Sequence, residues 1–102
     1  MPSFNKLAKV SDIPAGEGRI FEPEGHVIAI FNIGGKFHAV DNTCLHRGGP
    51  LGEGICEESV VTCPWHGWRY DVTTGQCVEG DPSAKVVTYP VKVENDEILV
   101  EF

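Results

Sequence analysis

Apolar and polar positions along the chain alternate in short runs, and no long segment repeats with the 3.6-residue period of a helix. Residues 4 to 10 and 18 to 22 read as short strands, divided by the turn-rich break Asp12-Ile13-Pro14-Ala15-Gly16. Val27-Ile28-Ala29-Ile30-Phe31 is an unbroken β-branched and apolar run, which suits a strand covered on both faces. Asn32-Ile33-Gly34-Gly35 then turns the chain, because paired glycines adopt positive φ without strain, and Lys36-Phe37-His38-Ala39-Val40 returns as the partner strand.

Further along, Gly48-Gly49-Pro50-Leu51-Gly52-Glu53-Gly54 is too rich in glycine for a regular element. Ser59-Val60-Val61-Thr62 and Trp68-Arg69-Tyr70-Asp71-Val72 read as strands, the second ending in a hairpin turn at Thr73-Thr74-Gly75-Gln76. Gly80-Asp81-Pro82-Ser83 breaks the pattern again. Near the end, two-residue alternation predicts Val87, Tyr89, Val91 and Val93 on one face, with Pro90 marking an edge or an irregular point. Glu94-Asn95-Asp96-Glu97 closes a last hairpin, after which Ile98, Val100 and Phe102 line one side. The fold class is all-β.

The chain's 102 residues suffice for one domain with a modest core. No stretch approaches eighteen consecutive apolar residues, so no membrane-spanning helix is expected. Met1-Pro2-Ser3-Phe4-Asn5-Lys6 lacks the apolar centre of a signal peptide, so the expected compartment is a reducing cytoplasm. A formal net charge of −7 disfavours nucleic acid, whose phosphates such a surface repels. The same charge could steer the protein toward basic patches on partner proteins or merely keep it soluble.

Candidate chemistry concentrates in two stretches, Cys44-Leu45-His46 and Cys63-Pro64-Trp65-His66, each offering one thiol and one imidazole. Two Cys with two His fit either a tetrahedral zinc or a [2Fe-2S] cluster with histidines on one iron. Zinc fingers usually group their cysteines and their histidines separately, whereas each loop here mixes the two, which favours iron and sulfide. A disulfide framework would require export and would leave the neighbouring histidines unexplained. Cys56 and Cys77 are then free thiols that serve as small packing residues. His26 and His38 have no ligand-spaced neighbour and read as surface or packing histidines.

The CLH and CPWH motifs have Gly-Gly-Pro after the first and Gly67-Trp68-Arg69-Tyr70-Asp71 after the second. Together they resemble the Rieske iron–sulfur family, whose signature is C-x-H, a gap of about this length, then C-x-x-H. The resemblance implies that Cys44 and Cys63 hold the inner iron, while His46 and His66 hold the outer, solvent-facing one. It also implies one small antiparallel barrel or sandwich over residues 1–102, with a cluster-binding subdomain at about 42–82 inserted as two loops. Gly48, Gly49 and Gly67 would let backbone N–H groups approach the cluster sulfides, or serve only tight turns. Trp68, Tyr70 and Pro82 complete the expected surroundings, with Pro82 in a third, shielding loop.

Two imidazoles in place of two thiolates remove about two negative charges, so the cluster accepts an electron more easily. High-potential relatives carry an additional disulfide, at positions that look like Gly49 and Trp65, and a serine where Trp68 stands. The implied potential therefore falls in the lower half of the range of about −150 to +300 mV.

A cluster of this kind moves single electrons and leaves no coordination position open, and no other catalytic constellation is visible. The resemblance implies an electron carrier rather than an enzyme, a monomeric ferredoxin of an aromatic-ring dioxygenase system. It would link an NAD(P)H-dependent flavin reductase to a terminal oxygenase. Two readings stay open beside it, the small subunit of a nitrite reductase or similar oxidoreductase, and a zinc-bound structural module.

Overall fold

The computed structural model describes residues 3–42, 50–65, 67–81 and 83–102. Among them the regular elements are eleven strands and three single-turn 3-10 segments at Val10–Asp12, Pro23–Gly25 and Leu51–Glu53. The strands are β1 (Phe4–Lys9), β2 (Gly18–Phe21), β3 (Ile28–Ile33), β4 (Lys36–Asp41), β5 (Ile55–Glu57) and β6 (Val60–Thr62). They continue as β7 (Arg69–Asp71), β8 (Cys77–Glu79), β9 (Thr88–Tyr89), β10 (Val91–Glu94) and β11 (Glu97–Glu101). Three antiparallel sheets result, ordered β1-β11-β10, β2-β3-β4-β9 and β5-β6-β7-β8, arranged as a sandwich rather than a closed barrel.

Four residues of the unbroken apolar run behave as its composition requires, while Val27 lies before β3 and is exposed. Ile28, Ala29, Ile30 and Phe31 are fully buried, and their side chains alternate between two cores. Ala29 and Phe31 join Val40, Leu51, Val61, Cys63, Tyr70 and Val72 on one side. Ile28 and Ile30 join Ala8, Ile13, Ala39, Ile98 and Val100 on the other. The sheet holding β3 is thus a wall shared by both cores, which explains why polar alternation is missing there.

The glycine turn after β3 has Gly34 at φ 60° and Gly35 at φ 93°, a pairing that matches the twist of the strands it joins. Asn32, buried beside it, accepts from the Gly35 N–H (2.8 Å) and donates to the Ile13 carbonyl (2.8 Å). Asn95 and Asp96 occupy the left-handed region in the last hairpin, where short polar side chains are tolerated.

The expectation of one face for Val87, Tyr89, Val91 and Val93 needs correcting. Tyr89 and Val91 pack against the second core, whereas Val87 and Val93 are exposed. Parity is kept across Pro90, since Tyr89 and Val91 face the same core although β9 pairs with β4 and β10 with β11. The exposure arises at the outer ends, with Val87 lying before β9 and Val93 beside the Asn95-Asp96 turn at the end of β10.

The topology also isolates the third sheet. β4 and β9 are neighbours through Ala39↔Tyr89 and Val40↔Thr88, and the Asp41 N–H donates to the Val87 carbonyl (2.8 Å). Everything from β5 to β8 lies in the chain between those partners. Leu51, Val61, Cys63, Tyr70, Val72 and Cys77 fasten this inserted sheet to the wall through the first core.

Replacing Ile30 by Ala removes a fully buried side chain from a packed core and is expected to cost about 2–5 kcal/mol. Val93→Ala at an exposed site is expected to change stability by no more than about 0.5 kcal/mol. Denaturant unfolding measures both, and comparable losses for the two variants would contradict this placement of the cores.

Candidate metal centre

Of the four expected ligands, Cys63 is described; Cys44, His46 and His66 lie outside the described residues, as do Gly48, Gly49 and Pro82. Cys63 follows directly on β6 and is 1% exposed. Its N–H donates to the Trp68 carbonyl (2.7 Å), and its own carbonyl accepts from the Gly67 N–H (3.1 Å). These bonds close a tight turn between β6 and β7, extending the ladder beyond Thr62↔Arg69.

Gly67 sits at φ 84° within that turn, a conformation costly for any side chain. Its N–H serves the Cys63 carbonyl within the turn. Pro64 and Trp65 stand exposed on the turn, with Trp65 62% accessible.

Beneath it, Trp68 packs against the first core and touches the backbone of Gly80. A Cβ on Gly80 would lie 2.5 Å from the indole Cδ2, so only glycine permits the contact. The third loop begins at that point. Asp81 Oδ1 accepts from the Ser83 N–H (2.9 Å) and hydroxyl (2.7 Å), and the Asp81 carbonyl accepts from the Ala84 N–H (2.9 Å). Side-chain bonds of this kind pre-form a turn. Tyr70 is fully buried on β7 in the same core as Cys63.

A groove of about 580 Å³ opens beside the cysteine, lined by Ile55, Thr62, Cys63, Pro64 and Trp65. Gly54 lets β5 begin this close to β6, since a Cβ there would lie 2.1 Å from the Thr62 carbonyl oxygen. β5 and β8 are strands that the residue pattern did not foretell, because three residues are too few for alternation to register.

Other expectations find their places. His26 is exposed and rests against the rings of Phe102 (5.2 Å) and Tyr89 (6.4 Å), while His38 is half-buried within β4 opposite Phe31. Arg69 pairs locally with Glu79 (3.1 Å), a half-exposed bridge of small energetic weight. Asp71 Oδ1 accepts from the Thr73 N–H (2.9 Å) and hydroxyl, capping the turn after β7. Cys56 and Cys77 carry thiols rather than a disulfide, and burial pushes the Cys56 thiol above its usual pKa.

The hydrogen bonds from the Ser83 hydroxyl and N–H hold the Asp81 carboxyl below its usual pKa. A depressed pKa means that the turn's contribution is present above the ordinary aspartate value and is lost as pH falls through the lowered one. An NMR titration of the Ser83 amide is therefore expected to show a midpoint below that of a free aspartate. A midpoint at or above it would contradict the turn.

A soft, water-excluded thiol at the floor of a groove, flanked by turns fixed on both sides, suits a thiolate ligand to iron. The full donor set of two thiols and two imidazoles fits a [2Fe-2S] cluster with mixed ligation. Comparison with known proteins points the same way. Residues 3–90 match the model of the Rieske [2Fe-2S] domain. The ferredoxin component of the naphthalene 1,2-dioxygenase system of Pseudomonas putida is 33% identical over 92 residues, which are 90% of this chain and 88% of that protein. The ferredoxin of carbazole 1,9a-dioxygenase from Nocardioides aromaticivorans IC177 superposes with a TM-score of 0.90 at 29% identity, covering 96% of each chain. A chain from a complex of reduced oxygenase and oxidized ferredoxin in carbazole 1,9a-dioxygenase gives a TM-score of 0.89 at 29% identity, over 94% of this chain and 99% of that one. With its mixed Cys and His motifs and a domain match over nearly its whole length, the chain belongs to the Rieske [2Fe-2S] domain family.

Proposed function

We propose that this protein is the one-electron carrier of a multicomponent ring-hydroxylating dioxygenase system. It takes electrons from an NAD(P)H-dependent flavin reductase and delivers them to a terminal oxygenase, which performs the chemistry on the aromatic substrate. The observation that carries this reading is identity over the full length: the naphthalene 1,2-dioxygenase ferredoxin is 33% identical over 90% of this chain and 88% of that protein, whereas a putative nitrite reductase small subunit, covered just as fully, is 21% identical. The higher identity favours a separate carrier over the fixed subunit of a nitrite reductase, and the Rieske domain match disfavours a zinc module.

The bound cluster supplies reversible one-electron oxidation and reduction. In this reading Cys44 and Cys63 would hold one iron, and His46 and His66 would hold the other. Trp68, Tyr70 and Gly67 support the second ligand turn from below, while Gly48, Gly49 and Pro82 belong to the loops around the cluster. The domain is one unit over 1–102, with residues 42–82 as its cluster-binding part. The pairing of β4 with β9 around the inserted sheet supports that division. Among the described residues no helix is long and apolar enough to cross a membrane. A cytoplasmic monomer suits a carrier that visits two partners in turn.

The groove beside Cys63 is the surface on which the oxygenase docks in this reading. Trp65 and Ile55 are exposed apolar groups beside a deeply buried ligand, and Glu53, Glu57 and Glu58 stand exposed nearby. An apolar centre with an acidic rim fits a partner that presents an apolar patch bordered by Lys or Arg. Trp65→Ala is expected to slow reduction of the oxygenase about ten-fold while leaving the redox potential within error. Stopped-flow measurement with an oxygenase that the wild-type protein reduces provides the test. An unchanged rate, or a loss traceable to a shifted potential, would remove Trp65 from the docking surface.

A further inference from the structure

Asn42 is buried, with 6% of its surface accessible, immediately after β4 and two residues before Cys44. An amide side chain in such a place requires partners. Its oxygen Oδ1 accepts from the Gly52 N–H at 2.6 Å. Its backbone carbonyl accepts from the Leu51 N–H at 2.7 Å, and its own N–H donates to the Val27 carbonyl at 2.9 Å. One residue therefore holds the chain where it leaves the wall and where it comes back.

The return point is fixed by independent packing. Leu51 is fully buried in the first core. Gly52 lies so close to Ile20 of β2 that a Cβ would fall 2.3 Å from its Cγ1 and 2.9 Å from Asn42 Oδ1. Residue 52 is thus pressed between β2 and Asn42, and it can occupy that position only because it carries no side chain.

From this geometry we infer that Asn42 is the positioning residue of the first ligand loop. It sets the separation of the two ends of the segment 43–49, which carries Cys44 and His46. Fixing loop ends lowers the entropy lost when the ligands between them are ordered around the metal. Groups behind the ligands commonly tune metal retention in this way. An apolar residue at position 42 would leave the buried Gly52 N–H without its acceptor, and such a loss is costly. The inference rests on the reading of Cys44 and His46 as ligands.

The experiment compares the purified holoproteins of wild type, Asn42→Ala, Asn42→Asp and Asn32→Ala by iron release to a strong chelator and by visible circular dichroism. Asn42→Ala is expected to release iron about ten-fold faster with an altered visible spectrum. Asn42→Asp, which keeps an oxygen at the same place, is expected to stay within about two-fold of wild type. Asn32→Ala serves as the control. It removes an equally buried amide with two hydrogen bonds, but one placed at the β3–β4 turn, so it should lower Tm without changing the spectrum or hastening iron release.

Wild-type behaviour of Asn42→Ala, or equal acceleration by Asn32→Ala, would overturn the inference. Should Asn42→Ala not accumulate as holoprotein, Asn42→Ser takes its place, since its shorter side chain does not span the distance to Gly52. A wild-type-like Asn42→Ser would be equally fatal. A wild-type protein that shows no iron–sulfur spectrum would instead sink the ligand reading itself, leaving the two failures distinct.

Discussion

Burial of β3 on both faces is the constraint from which the architecture follows. Ile28 and Ile30 require one apolar layer, and Ala29 and Phe31 require another on the opposite side. The sheet formed by β1, β10 and β11 supplies the first through Ile98 and Val100. The inserted sheet supplies the second through Val61, Tyr70 and Val72, and Cys63 is part of that layer. Cys63, the proposed ligand, is therefore a member of the hydrophobic core, held in place by the same packing that keeps the insertion against the wall. Loosening that core would disturb the turn at Cys63 as well as the fold.

Rigid placement of Cys63 depends on short-range devices added to this packing. Two backbone hydrogen bonds close the 63–68 turn, Gly67 supplies its positive φ, and Trp68 lies between that turn and the third loop at Gly80. Each device costs little on its own, and together they leave few alternative conformations. A redox centre benefits from this, because an electron is exchanged with less reorganisation when the ligands barely move.

Much of this was legible in the residues because it is local. The Cys and His motifs, the Gly34-Gly35 turn, the apolar run of β3 and the alternation of Ile98, Val100 and Phe102 are all written in adjacent positions. What escaped is long-range or short in extent. β5 and β8 are three-residue strands whose pairing depends on their neighbours, and the exposure of Val87 and Val93 depends on where β9 begins and β10 ends. The role of Asn42 depends on Gly52, ten positions away in the sequence, being pressed against Ile20 of a different strand. The bond from the Gly67 N–H to the Cys63 carbonyl is likewise set by the closure of the turn rather than by any pattern in the residues.

Mixed ligation of a two-iron cluster is the claim on which the functional account stands, and magnetic resonance of the reduced protein tests it most directly. With histidine labelled by ¹⁵N, pulsed EPR is expected to show an iron–sulfur signal coupled to two histidine nitrogens, and iron analysis to give two atoms per chain. An EPR-silent protein containing a single zinc, or a cluster signal with no nitrogen coupling, would contradict it.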